Sequence, residues 1–305
     1  MTLAVLGTGI MGSGIAQAAA MSGYEVVAYD VSEEALDRAK ATVEHSLSRF
    51  VKAGKLGIGG SATALEHITF TTDLQKSVRD ATIVIEAVPE ILELKREVLR
   101  AAISGAPDNA LLGTNTSQLS ITSIGANLGA AASRLVGMHF FNPPVMMQLV
   151  ELICGLSTTD ESLERAREFC ESLGKEVVVC RKDSPGFLTS RAYAALRLEC
   201  VRMVEEGLAT PADVDTAFRL GFNFPQGPFE LGDANGVDTF VYVLEALATA
   251  YGERFRPTPM LRNMIAANRL GRKSGRGFFE YTADGTRLDD EQDMQRREKR
   301  SYRAG

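Results

Sequence analysis

The sequence predicts an α/β fold in which a doubly wound sheet domain is followed by an all-α C-terminal domain. Three observations carry this expectation. The first thirty residues run from an apolar stretch through a glycine-rich turn and a small-residue helix to a second apolar stretch. Strand-like runs then recur as far as residue 179 and give way, after residues 182–186 (KDSPG), to helical periodicity alone. Finally, 305 residues are too many for one ordinary core and suit about two domains. The expected division is a sheet domain over 1–183, a helical domain over 184–282 and a polar tail over 283–305.

Composition limits the function classes. The chain is 45% hydrophobic and 24% charged, which is globular rather than disordered. Net charge is −6 and no basic block stands out, so neither nucleic acid nor an anionic membrane is an expected partner. The apolar N-terminus lacks a basic leader and is soon interrupted by glycines, so no signal peptide and no membrane span is expected, and the chain reads as cytoplasmic. Cys154, Cys170, Cys180 and Cys200 form no CxxC, and only three histidines are present. Reduced thiols and the lack of a structural metal are the expectation.

Residues 2–6 are the first strand candidate. Gly7-Thr8-Gly9-Ile10-Met11-Gly12 comes next, then the helix SGIAQAAAMSG, then residues 24–29 and Asp30. Each part has a task in a Rossmann-like nucleotide fold. Gly7 permits the tight turn, Gly9 lets a pyrophosphate approach the backbone, and Gly12 with Ala16 lets the helix pack on the sheet. The helix start, including Ile10 and Met11, offers unpaired N–H groups and partial positive charge to phosphates. Asp30 can accept both ribose hydroxyls. Glu33 and Glu34 close by, with no arginine, would repel a 2′-phosphate, so NAD is favoured over NADP.

Ser32 caps a helix of about twenty residues whose apolar positions recur from Ala35 to Val51, about 30 Å long. Ser46, Lys52 and Lys55 lie near its end, where lysines suit an anionic substrate handle; a solvated helix face is the competing reading. Residues 56–64 are glycine-rich and read as loop, and 68–72 as strand. Residues 82–88 (TIVIEAV) form a buried strand that leads into Glu90 and a helix over 92–103 carrying Lys95. Glu90 stands just past a strand's C-terminal end, where parallel sheets place ligands, with Lys95 a helical turn on; a surface pair is the alternative. Residues 110–113 lead in the same way to Thr114-Asn115-Thr116-Ser117. Ser117 can offer a hydroxyl to a ligand or serve as an N-cap for the next segment.

Two strand-like runs, 135–141 and 148–153, flank Asn142-Pro143-Pro144, and a proline pair forces the chain to turn. If the runs fold back about Val145, His139 and Glu151 sit across from each other. A carboxylate accepting one imidazole N–H fixes the tautomer and makes the other nitrogen a general base. A half-buried histidine beside an unrelated surface glutamate is the alternative. Residues 162–173 read as an amphipathic helix and 176–179 as a last strand. Helices over 187–206, from Pro211, over 236–251 and near 260–268 make up the second domain.

Taken together, GTGIMGSGIA, VPE with Lys95, NTSQLSITSI, HFFNPPVMMQLVE, DSPGF, GFNFPQGPFELGD and GRKSGRGFFEY resemble the 3-hydroxyacyl-CoA dehydrogenases, including the short-chain 3-hydroxybutyryl-CoA enzymes, from Leu3 to about Tyr281. The resemblance implies NAD-dependent, reversible oxidation of (S)-3-hydroxyacyl-CoA to 3-ketoacyl-CoA. It implies His139 as base, Glu151 as its partner and Ser117 near substrate and nicotinamide. Glu90, Lys95 and Asn142 match cofactor-contact positions, and Ser46 and Lys52 align with coenzyme A contacts. It also implies a homodimer through the helical domain, which supplies half of the cleft. Ser190 stands where the family usually has a substrate-side asparagine. A dehydrogenase of a free hydroxy acid, gulonate- or carnitine-type, and a non-catalytic NAD-binding protein are the rival readings.

Overall fold

The computed structural model describes residues 1–57 and 59–288. The chain divides into two compact units, the first Met1–Phe187 and the second starting at Leu188. Most of the expected polar tail, 289–305, lies outside the described residues.

The first unit is built on eight strands: β1 (Thr2–Leu6), β2 (Glu25–Tyr29), β3 (Ile68–Thr71), β4 (Ile83–Glu86), β5 (Leu111–Thr114), β6 (Leu135–Phe140), β7 (Leu149–Cys154) and β8 (Glu176–Cys180). They form one sheet in the order β3-β2-β1-β4-β5-β6-β7-β8. Every neighbouring pair is parallel except β6 and β7, which run antiparallel. β1, β4 and β5 are mostly apolar and almost wholly buried, as strands covered on both faces must be. Two hydrophobic clusters cover the sheet, one centred on Ile15, Val43 and Leu152, the other on Leu99, Ile121 and Ile124.

Helices α1 (Ile10–Met21) and α2 (Glu33–Lys52) follow β1 and β2. The Ser32 hydroxyl accepts from the Ala35 amide and caps α2, and Glu33 and Glu34 occupy its first turn. The stretch read as a loop over 56–64 is corrected: α3 spans Gly60–Glu66. Burial of Ala64, and packing of Leu65 on the core, override the poor helix propensity of a glycine-rich start. Short α4 (Leu74–Val78), capped by Asp73, precedes β4; α5 (Leu92–Ile103) follows it, and α6 (Ile121–Gly125) follows β5. α7 (Asp160–Ser172) leads to β8.

The second unit is helical: α8 (Thr189–Glu205), α9 (Pro211–Gly221), α10 (Pro228–Asn235), α11 (Val237–Tyr251) and α12 (Pro259–Ala266). The helix expected to begin at Phe187 begins two residues later, because Phe187 has a φ of 47° and cannot join it. α9 starts with a complete capping box, Thr210 with Asp213, and Pro211 in its first turn. Buried Asp233 accepts from the Phe278 and Phe279 amides and from the Tyr281 hydroxyl. Asp233→Ala strands three donors and should cost about 3 kcal/mol or more of unfolding free energy, read by denaturant titration.

Candidate active site

Gly7 to Gly12, Asp30, Glu90, Ser117 and His139 lie at or just past the carboxyl ends of β1, β2, β4, β5 and β6, on both sides of the point where the strand order reverses between β1 and β4. Gly7 has a φ of 95°, and a Cβ on Gly12 would stand 1.8 Å from the Gly7 carbonyl oxygen. Helix α1 therefore sits directly on the turn, which only glycine at both positions allows. A Cβ on Gly9 would meet nothing within 4 Å, so the space over the helix start is open. No side chain caps α1. The first-turn amides of Ile10, Met11 and Gly12 are left to face an anion, and this cradle fits a dinucleotide pyrophosphate. Asp30 is held by Thr8, whose amide and hydroxyl both donate to its Oδ2 at 2.9 and 3.0 Å.

The chain turns at Pro143 and Pro144 and returns antiparallel, pairing His139 with Glu151 in register. His139 Nδ1 lies 2.7 Å from Glu151 Oε2. Glu151 is fully buried and His139 is 5% exposed. A carboxylate in its ionised form can only accept, so beside it a neutral imidazole carries its proton on Nδ1 and leaves the lone pair on Nε2. The rings of Phe141 and Phe187 lie 4.5 and 5.9 Å from the imidazole centroid. The turn is held in place by the Lys175 ammonium, which donates to the carbonyls of Pro144 and Met147 at 2.6 and 2.9 Å. Asn142 is exposed at its start.

Glu90 and Ser117 are brought together. Glu90 Oε1 accepts from the Thr116 hydroxyl and from the amides of Ser117 and Gln118, which leaves the Ser117 side chain exposed. Lys95 requires a correction. Neither a surface residue nor open to a ligand, it is fully buried. Its Nζ donates to Glu86 Oε1 at 2.8 Å and to the carbonyls of Val88 and Asn115 at 3.2 and 3.0 Å. The aliphatic stem passes under the loops, and the head is spent on carbonyls that the ends of β4 and β5 leave unpaired.

Ser46 and Lys52 ride on the second half of α2, half-buried and exposed respectively, and neither side chain hydrogen-bonds to another described residue. Ser190 is half-buried in the first turn of α8, in the second unit. Sequence reasoning passed over Thr8, Glu86, Asn115 and the two flanking phenylalanines. One signal did exist: Glu86 interrupts an otherwise apolar strand, and a fully buried glutamate is rare unless paired.

Two family descriptions match, "3-hydroxyacyl-CoA dehydrogenase, NAD binding domain" over residues 2–184 and "3-hydroxyacyl-CoA dehydrogenase, C-terminal domain" over residues 186–281. The chain belongs to the 3-hydroxyacyl-CoA dehydrogenase family. It is an oxidoreductase of that family and its cofactor is NAD. Among relatives of this dehydrogenase, a probable 3-hydroxybutyryl-CoA dehydrogenase of Deinococcus radiodurans is 41% identical over 282 residues, covering 92% of this chain and 100% of the relative. The mitochondrial hydroxyacyl-coenzyme A dehydrogenase of Mus musculus is 39% identical, with 91% and 90% covered. The crystal structure of (S)-3-hydroxybutyryl-CoA dehydrogenase from Ralstonia eutropha is 40% identical with a TM-score of 0.88, covering 92% of this dehydrogenase and 99% of that chain. Among the described residues, no helix is long and apolar enough to cross a membrane, and no group of three or more His, Cys, Asp or Glu could hold a metal ion.

Proposed function

We propose that this dehydrogenase interconverts (S)-3-hydroxyacyl-CoA and 3-ketoacyl-CoA, with His139 as the proton-transferring residue and Glu151 as its partner. The observation that carries the proposal is the buried 2.7 Å contact between His139 Nδ1 and Glu151 Oε2 at the carboxyl end of a nucleotide-binding sheet. NAD, when bound, supplies the hydride-accepting nicotinamide. The chain's own residues do the rest. Gly7, Gly9, Ile10, Met11 and Gly12 receive the pyrophosphate, and Asp30 accepts from the ribose. Glu90, Ser117 and Asn142 line the nicotinamide side, while Lys95 acts from beneath the loops. His139 Nε2 takes the C3 hydroxyl proton as the alcohol is oxidised and returns it on reduction. Glu151 stabilises the imidazolium that forms between.

On this reading Ser117 and Ser190 contact the acyl part, and Ser46 and Lys52 contact coenzyme A. The nucleotide-binding part is assigned to 1–183 and the helical part to 184–282, the latter forming a homodimer in the cytoplasm. Similarity to relatives named for 3-hydroxybutyryl-CoA and hydroxyacyl-coenzyme A supports the substrate class. The test is NADH oxidation with 3-ketoacyl-CoAs of increasing chain length beside the free 3-keto acids. Turnover of the thioesters is expected; turnover of free acids alone would replace the assignment with the hydroxy-acid reading.

Asp30→Ala should raise KM for NAD about tenfold or more, since a charge-assisted hydrogen bond is lost, and should narrow the preference over NADP. Initial rates with both cofactors read the effect. Unchanged selectivity would remove Asp30 from the ribose.

A further inference from the structure

We propose that Glu86 is a positioning residue for this reaction, holding through Lys95 the loops after β4 and β5 in register with each other and with the end of β6 that carries His139. The inference rests on the proposed dehydrogenase reading and adds a layer beneath it.

Both Glu86 oxygens are committed. Oε1 accepts from the Val88 amide at 2.7 Å and from Lys95 Nζ at 2.8 Å, and Oε2 accepts from the Thr114 hydroxyl at 2.6 Å. An ammonium has three donors, and those of Lys95 are used on Glu86, Val88 and Asn115. Asn115 carries the connection onward. Its amide donates to the Glu86 carbonyl at 2.8 Å, and its side-chain oxygen accepts from the Phe140 amide at 3.0 Å, one residue from His139. The Lys95 ammonium also stands 3.5 Å from Glu90 Oε2, and Glu90 in turn holds the amides of Ser117 and Gln118. One buried carboxylate thus braces the ends of three adjacent strands.

Stability alone does not account for this arrangement. Taking two charges fully out of water is costly, and apolar side chains of similar volume commonly hold a fold equally well or better. Burial pushes the Glu86 carboxyl up, with Lys95 and the hydrogen bonds opposing it. What leucine and methionine could not reproduce is the simultaneous grip on Val88, Thr114 and Asn115. Neither Glu86 nor Lys95 has any exposed surface, so both act through the residues they hold.

The test is the double variant Glu86→Leu/Lys95→Met, which removes both buried charges together. It is expected to melt cooperatively, yet to lose about 10- to 100-fold in kcat/KM for NAD, the scale of a small misplacement of reacting groups. The pH limb of the rate assigned to the imidazole should stay in place. A folded double variant with wild-type kcat/KM would overturn the inference. If the double variant does not fold, Asn115→Ala decides, because it cuts only the tie to Phe140: kcat should fall about tenfold, and wild-type kinetics would overturn the inference. A wild-type enzyme inert toward acyl-CoAs would sink the dehydrogenase reading, and NAD affinity measured by calorimetry would then decide the brace in place of the kinetics: at least tenfold weaker NAD binding by the double variant would support it and unchanged binding would overturn it.

Discussion

Replacing His139 with glutamine should lower kcat by about 10²- to 10⁴-fold, the usual contribution of a positioned general base. Glutamine is the informative replacement. Its amide is neutral, polar and of similar length, standing where Nε2 stood, and the β6–β7 pairing is made by the backbone and is not touched. What disappears is a nitrogen that takes a proton and later returns it. The NAD cradle lies on β1 and α1, so affinity for NAD should stay within about twofold of wild type. Steady-state rates and calorimetric NAD titration read the two quantities separately. Near-normal turnover would remove His139 from the chemistry, whereas loss of both turnover and NAD binding would point to general damage.

The second large effect is expected from Glu151→Gln. A carboxylate obliges Nδ1 to be the donor and leaves Nε2 as base. An amide can turn its NH₂ toward the ring, favouring the tautomer in which Nδ1 accepts and Nε2 is already protonated. It also removes the negative charge that stabilises the imidazolium, in a pair whose two side chains are both buried. The expected loss is about 10²-fold or more in kcat, bounded by the loss on removing the imidazole. Because the two residues act as a unit, the double variant should be hardly worse than His139→Gln alone. Additive losses would indicate separate roles.

Much of this site was legible because it depends on short spacings. The glycine turn, the helix start and Asp30 lie within one strand-helix-strand unit, and each needs a specific residue for a local reason. The pairing of His139 with Glu151 comes from a proline turn between two strand-like runs, so the register was implied by counting outward from Val145. The brace around Lys95 was not legible in this way. Lysine a helical turn past Glu90 reads as a ligand contact or, failing that, a surface residue, and its burial requires carbonyls from the ends of two strands that meet only in the folded sheet. Helix α3 escaped for a related reason: burial of Ala64, a tertiary contact, decides a stretch whose glycines argue for a loop. Phe187, with its left-handed backbone, looked like the start of a helix because aromatic residues rarely adopt that conformation.

Proton transfer by the imidazole is tested most directly by kcat/KM against pH, taken in both reaction directions for wild type and His139→Gln. A base in oxidation is the acid in reduction. Wild type should therefore lose activity toward low pH when oxidising the 3-hydroxyacyl-CoA and toward high pH when reducing the 3-ketoacyl-CoA, and both limbs should be missing from the residual rate of the variant. The same two limbs in His139→Gln would contradict the assignment and place proton transfer on another group.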